Sequence, residues 1–400
     1  MNKVDKTSMQ KWNRQLVLAL ARRHGRVSHS ELVRESGLSA GTISNITRQL
    51  RREKFLNIAG KGKSLGGRCP VNLEFNPSAK YILSAACLYE KTSLAIVDLS
   101  ARIVARTSFP SKPERGIDAF MRDFEKAMNS LLKSHAVPRN KLMALAASFE
   151  GVVDAQTGTL VNCVRMGWEN IPLKKKFESW CKLDVFIEND VRAALLGEFT
   201  NGAGKSAKNL IYLALGSGIG AAFLVQGRIY YGAHQTEGEI GHVIKDPSGP
   251  VCSCGKRGCL EALASGAAIA AAARHANIPG LRKSATSQEA EAAFRQVLEQ
   301  AEQGNKPAGK LLEQAANLLG GTIANIINLF DPEKIILDGY MIAGQDNSFF
   351  KLIRNACYQS SGGQAKCGAH IVQSALGDDA ALVGGAILAC RECFSVPEWK

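Results

Sequence analysis

Glu239–Glu261 reads EIGHVIKDPSGPVCSCGKRGCLE. His242, Cys252, Cys254 and Cys259 supply one imidazole and three thiols within eighteen residues. Together they make a full tetrahedral Cys3His set for zinc. A catalytic zinc keeps a coordination position for water. Four protein ligands leave none, so the expected metal is a structural Zn2+. Gly255 and Gly258 allow the tight backbone such a loop needs. In a chain without a secretion signal, Cys/His spacing of this kind points to metal before disulfide.

Two carboxylates flank the metal set, Glu239 three residues before His242 and Glu261 two after Cys259. A metal at the centre would fix both acids at one cleft. Upstream, Asn189 and Asp190 open a helix directly after the strand-like DVFIEN. Acids and an amide grouped in this way suit adjacent sugar hydroxyls. Between them lies LGSGIG, whose Gly216, Gly218 and Gly220 let backbone amides approach an anion or a sugar.

Around this centre the pattern is α/β. From Tyr81 onward, apolar strands (YILSAACL, TSLAIVD, KLMALAASF, DVFIEN, NLIYLALG, KIILD) alternate with amphipathic helices such as 116–134. Such alternation implies layered sheets with ligands at strand ends. The C-terminal part reads as mostly helical, with KIILDG as its single strand and a final helix from Asp378.

The N-terminal segment differs in charge. Residues 1–80 hold 16 Lys and Arg against 5 Asp and Glu, while the other 320 hold 34 against 31. A basic unit on a nearly neutral body fits contact with a polyanion. Trp12, Leu16, Val17, Leu20 and Ala21 recur at helical spacing. Ser30 is expected to cap a short helix carrying Leu32 and Val33. SGLS turns the chain, and Ser39 caps a second helix with Ile43, Ile46 and Leu50 inward. This is a helix-turn-helix pattern. Ser39, Thr42, Ser44, Asn45 and Arg48 are candidate base-reading or backbone-contacting side chains, and Arg51, Arg52 and Lys54 candidate phosphate contacts. LNIAGKGKSLGGRCPVNLEF reads as strand, basic loop, strand: a wing bearing Lys61, Lys63 and Arg68.

Four hundred residues allow two or three domains. The apolar run LVLALA is too short for a secretion signal, and Leu210–Val225 is broken by glycines, so neither membrane insertion nor export is expected. A cytoplasmic protein with reduced thiols follows. Cys69, Cys87, Cys163, Cys181, Cys357, Cys367 and Cys390 are read as small buried apolar residues.

With GEIGH followed by CSCGKRGCLE, the chain resembles the ROK family of repressors, open reading frames and sugar kinases. ENDVRAALLGEF, LGSGIGAAFLVQGRIYYGAHQTEGEIGH, NLFDPEKIILDG and LGDDAALVGGAILA extend the resemblance, and with the winged helix it covers essentially the whole chain. It implies two actin-like, hexokinase-type lobes: a winged helix-turn-helix over 1–78, a first lobe over 79–198 to which a closing helix 378–393 returns, and a second lobe over 199–377. It also implies sugar contacts from Asn189, Asp190, Glu239, His242 and Glu261, with the Gly151 turn nearby. In the family's kinases the residue matching Asp190 is the general base.

Those kinases also carry an Asp followed by Gly-Gly-Thr in a first phosphate loop. Here Ala86 stands at the Asp, Leu88–Tyr89–Glu90 at the glycines, and Asp338 at a glycine of the late nucleotide turn. Glu150 precedes Gly151 where a small residue or proline is common. The sugar side is kept and the nucleotide side altered. The expected function is therefore a non-catalytic, sugar-responsive repressor of carbohydrate genes. Its partners would be operator DNA and a small sugar, and it would act as a homodimer or homotetramer. The alternative is an ATP-dependent hexose or N-acetylhexosamine kinase with a fused DNA-binding domain.

Overall fold

The computed structural model describes residues 6–61, 71–276, 278, 287–361 and 371–394. The N-terminal unit comprises α1 (Lys6–His24), β1 (Arg26–Ser28), α2 (His29–Ser36), α3 (Ala40–Arg52), β2 (Leu56–Lys61) and β3 (Val71–Phe75), with the strands antiparallel in the order β1-β3-β2. The cap of α2 is Ser28, not Ser30. Its hydroxyl accepts from the Glu31 amide at 3.2 Å, and the Glu31 carboxylate accepts from the Ser28 amide at 2.7 Å. The reciprocal capping box requires an acid three residues on, which Ser28 has and Ser30 lacks. Ser39 caps α3 as expected. Ile43 and Leu50 are buried, but Ile46 is only half-buried. Thr47 takes the inward place between them, its hydroxyl donating to the Ile43 carbonyl at 2.8 Å.

Next come β4 (Tyr81–Cys87), β5 (Lys91–Asp98), β6 (Ile103–Pro110), α4 (Ile117–Ser134), β7 (Leu142–Phe149), β8 (Val152–Asp154), β9 (Thr159–Cys163), β10 (Trp168–Ile171), α5 (Leu173–Cys181), β11 (Asp184–Asn189) and α6 (Asp190–Asn201). β11, β7 and β4 are parallel neighbours, and β5 and β6 continue the sheet antiparallel, in the order β11-β7-β4-β5-β6. Phe120, Phe124, Phe149, Phe177 and Trp168 form the core under α4 and α5.

The remainder holds β12 (Leu210–Leu215), β13 (Ile219–Val225), β14 (Arg228–Ile229), α7 (Leu260–Ala264), α8 (Gly266–His275), α9 (Ser287–Glu302), α10 (Lys306–Phe330), β15 (Lys334–Asp338), α11 (Ser348–Ser360), β16 (Ile371–Gln373) and α12 (Ala380–Cys393). The sheet order is β14-β13-β12-β15-β16, again three parallel strands beside an antiparallel pair. The two five-stranded sheets thus repeat one topology. β16 was not expected: three residues are too few to show a period of two, and only pairing with β15 defines the strand. The apolar run Leu210–Val225 is the β12–β13 hairpin, and among the described residues no helix is long and apolar enough to cross a membrane. The last helix begins at Ala380 after a 3-10 turn over Gly377–Asp379, and it packs against α6 and the first sheet. Cys87, Cys163, Cys181, Cys357 and Cys390 are buried, while Cys69 and Cys367 lie outside the described residues.

Candidate functional site

The ligand atoms of His242, Cys252, Cys254 and Cys259 all lie within 4.8 Å of one another, an arrangement that could hold a metal ion. His242 Nδ1 is 3.5 Å from Cys252 Sγ, and Cys254 Sγ is 3.6 Å from Cys259 Sγ. Short backbone ties build the loop: Cys252 N donates to Lys256 O at 2.8 Å and Lys245 N to Gly258 O at 2.8 Å. Gly258 is indispensable to it. Its φ is +63°, and a Cβ there would stand 1.4 Å from the Asp246 carbonyl oxygen.

This loop fixes the two acids differently. Glu239 lies 3.6 Å from His242 Nε2, the nitrogen turned away from the cysteines. Burial lifts the Glu239 pKa, with His242 opposing and Glu261 adding to the rise. Glu261 stands in the first turn of α7, which starts directly after Cys259. Its Oε2 accepts from the Ile219 amide at 2.9 Å, so this carboxylate braces the glycine turn between β12 and β13. Gly218 is required there, since a Cβ would sit 2.7 Å from that same oxygen.

Across the molecule, parallel pairing of β7 with β11 brings Phe149 level with Asn189, so Glu150–Gly151 and Asp190 leave neighbouring strand ends. The Asn189 side chain caps α6, accepting from Val191 N and Arg192 N at 3.0 Å each. Its amide donates to Gly151 O at 3.0 Å and to Asp190 Oδ1 at 3.1 Å. Burial pushes Asp190 up to about 7, and the Glu150 charge adds to the shift. Burial also raises Glu150, opposed by Arg165 at 3.3 Å and by the Tyr89 backbone amide. The Arg165 guanidinium lies 4.9 Å from the Tyr89 ring centroid.

The structure therefore assembles two groups, Gly151–Asn189–Asp190 and Glu239–His242–Glu261. The Arg192 charge acts on an acid of each group, opposing the rise that burial gives the pKa of both Asp190 and Glu239. Buried Arg192 donates to Glu188 (2.6 Å), Glu237 (2.8 Å) and Val153 O (2.8 Å), and its guanidinium lies 5.1 Å from the Tyr231 ring centroid. Gln235 adds two bonds to the first half, to Asp154 Oδ1 (2.7 Å) and from Ala155 N (2.8 Å). The i,i+4 spacing of Glu188 and Arg192 was visible in sequence, but Glu237 arrives only through folding. A cavity of about 360 Å3 lies beside this junction, lined by Val185, Glu188, Tyr231, Gln235 and Leu388, rather than at Asp190 or Glu239.

Two tyrosines pack near β12 and the glycine turn that follows it. Tyr212 hydrogen-bonds to Asp338. Tyr340 lies against the glycine turn, its hydroxyl 3.4 Å from Ser217 Oγ, and a Cβ at Gly266 would sit 2.2 Å from that hydroxyl.

On α3, Ser39, Asn45, Arg48 and Arg51 are exposed and Thr42 and Ser44 half-buried. Ser39 also caps the helix through Thr42, so both hydroxyls already have partners. Lys61 ends β2, while Lys63 and Arg68 lie outside the described residues.

A family model described as "ROK family" matches residues 89–392. A "Putative xylose repressor" of Caldicellulosiruptor sp. (strain Rt8B.4) is 26% identical over 391 residues, 97% of either chain. A "Glucokinase" of Halalkalibacterium halodurans is 31% identical over 303 residues, 74% of this chain and 90% of its own. The solved structure of a ROK family transcriptional regulator, a homolog of the E. coli MLC protein, covers 97% of both chains at 24% identity with a TM-score of 0.74. The family match takes in the whole His-Cys loop, both acid-bearing groups and both five-stranded sheets apart from β4, which precedes it, and the chain belongs to the ROK family.

Proposed function

We propose that this protein is a sugar-responsive transcriptional repressor, built as a winged helix-turn-helix over 1–78 on two actin-like lobes, 79–198 and 199–377. The observation that carries this reading is α3: Ile43, Thr47 and Leu50 face inward while Asn45, Arg48, Arg51 and Arg52 are exposed. A helix with that division can lie in a major groove, reading base edges with Asn45 and Arg48 and phosphates with Arg51 and Arg52. The similarity to xylose repressors over nearly the full chain supports the same reading.

The sugar would bind between Asn189–Asp190 and Glu239–His242, with the Gly151 turn beside it and Glu261 supporting from behind the glycine turn. The His-Cys loop suits Zn2+: tetrahedral thiolates at about 2.3 Å from zinc stand about 3.8 Å apart, close to the 3.6 Å between Cys254 and Cys259. Zinc would hold the loop, and the residues themselves bind the sugar.

Phosphoryl transfer is disfavoured by what fills the nucleotide side. A kinase turn offers backbone amides to phosphates. Here the Tyr89 amide already favours the Glu150 carboxylate, and Tyr340 lies on the second turn. Operator binding in the presence of a sugar panel tests the reading: one sugar should weaken the complex, and a panel with no effect removes sugar responsiveness. The kinase reading, favoured by the glucokinase relative, is tested by ADP release with the same sugars. Turnover above background would replace the repressor proposal.

A further inference from the structure

The last helix connects the candidate sugar site to the N-terminal unit. α6, which begins at Asp190, lies backbone to backbone on α12. A Cβ at Gly384 would stand 1.7 Å from Ala193 O, and one at Gly197 2.3 Å from Ala380 O. No compressible side chain separates the two helices at this crossing, so a shift of one must displace the other. α12 is also tied to the first sheet, since Ser84 Oγ donates to Leu382 O at 2.7 Å.

At its far end α12 reaches the N-terminal unit. The Phe394 ring stands edge-on to Phe55, centroids 6.4 Å apart, and the Arg22 guanidinium lies 6.0 Å from the Phe394 centroid. Gln15 donates to Cys393 O at 3.4 Å. One apolar cluster runs without a break from Val17, Leu18 and Phe55 to Ile387 and Cys390. Among the described residues the N-terminal unit is thus held both by the chain entering β4 and by the end of α12. The second attachment is the one whose helix packs on the start of α6.

We propose that α12 transmits the state of the Asn189–Asp190 end of α6 to the DNA-binding unit, and that Phe394, seated between Phe55 and Arg22, is the contact that sets the unit's orientation. This rests on the repressor reading for its biological sense. The mechanical coupling is separately testable, because coupling is reciprocal and DNA must be felt at α6 even without sugar.

The test uses full-length protein and a duplex selected by the wild type from a random pool. Amide hydrogen exchange is followed with and without duplex. In the wild type, duplex should change exchange at 189–193 and along α12 by threefold or more. Phe394→Ala should retain duplex binding and lose most of the change at 189–193, whereas Phe394→Leu, which keeps apolar volume, should retain at least half. Equal changes in Phe394→Ala and wild type, or none in wild type, would overturn the proposal. A parallel titration with xylose and N-acetylglucosamine separates the two readings. A sugar that releases DNA equally from wild type and Phe394→Ala overturns the α12 route alone. If neither sugar acts while the exchange result holds, the route stands and the fault lies with the sugar reading.

Discussion

Two hairpin turns occupy the same place in the repeated sheet topology and are filled in opposite ways. The β4–β5 turn, closed by Leu88 N to Lys91 O at 3.2 Å, carries Leu88, Tyr89 and Glu90. The β12–β13 turn, closed by Gly216 N to Gly218 O at 3.0 Å, carries glycine on either side of Ser217. In the first, an internal carboxylate, Glu150, acts on the turn amide, and Arg165 packs on its tyrosine. In the second, Glu261 from the first turn of α7 braces Ile219, and Tyr340 covers the glycines. Each turn has its own anion from within the chain. A turn already served in this way has less to offer a nucleotide, which supports the repressor reading proposed above.

The largest effect should come from breaking what joins the halves behind these turns. Arg192→Met leaves Glu188 and Glu237 buried without their cation, so unfolding free energy by denaturant should fall by about 3–5 kcal/mol. A loss under 1 kcal/mol would mean the halves are held elsewhere.

Removing the metal should separate the turns. Linkage gives about 2.7 kcal/mol for a metal hundredfold above its Kd. Cys254→Ser should release that stabilisation together with the metal, measured by elemental analysis and melting. Exchange should quicken at 216–220, which Glu261 braces, and stay unchanged at 88–91. Equal quickening in both turns would show that they are not independently held.

Asp190 offers a pH test of the first half. Its pKa is raised to about 7 in the fold, so the native state holds the proton more tightly than the unfolded chain does. The stabilisation linked to that proton is complete below the unfolded carboxylate range and is lost as pH rises through about 7. Asp190→Asn should therefore gain in unfolding free energy relative to wild type as pH goes from 5 to 8, by about 2 kcal/mol, measured by denaturant titration. A constant difference across that range would show the shift to be absent.

The smallest effect concerns the first turn itself. Glu90→Gly with Glu150→Ala removes two acids that act on one another beside Tyr89. ATP affinity, read by calorimetry, should rise about tenfold, without phosphoryl transfer while Ala86 stands at the metal aspartate's place. Unchanged affinity would shift the block to Tyr340.

The His-Cys cluster was legible because its four residues fall within eighteen positions and glycines mark the bends between them. The α3 cap was legible for a similar reason, since Ser39 and Thr42 interact within one turn. The α2 cap was misplaced by two residues because two serines compete there, and the Glu31 partner decides between them. β16 carries too few residues to announce itself and exists by virtue of β15.

What the sequence determined by itself is local chemistry: which side chains can ligate, cap, alternate or repel, all set by spacing along the chain. Only the tertiary structure decided which of them meet. Arg192 stood one helical turn from Glu188 in sequence, yet its second buried ion pair required Glu237 to arrive from 45 residues further along the chain. Phe394 falls just past the closing helix expected over 378–393, and packing against Phe55 and Arg22 makes it part of the N-terminal unit's support. The reason is physical: contacts between distant segments depend on how sheets and helices stack, and no periodicity in the chain encodes that.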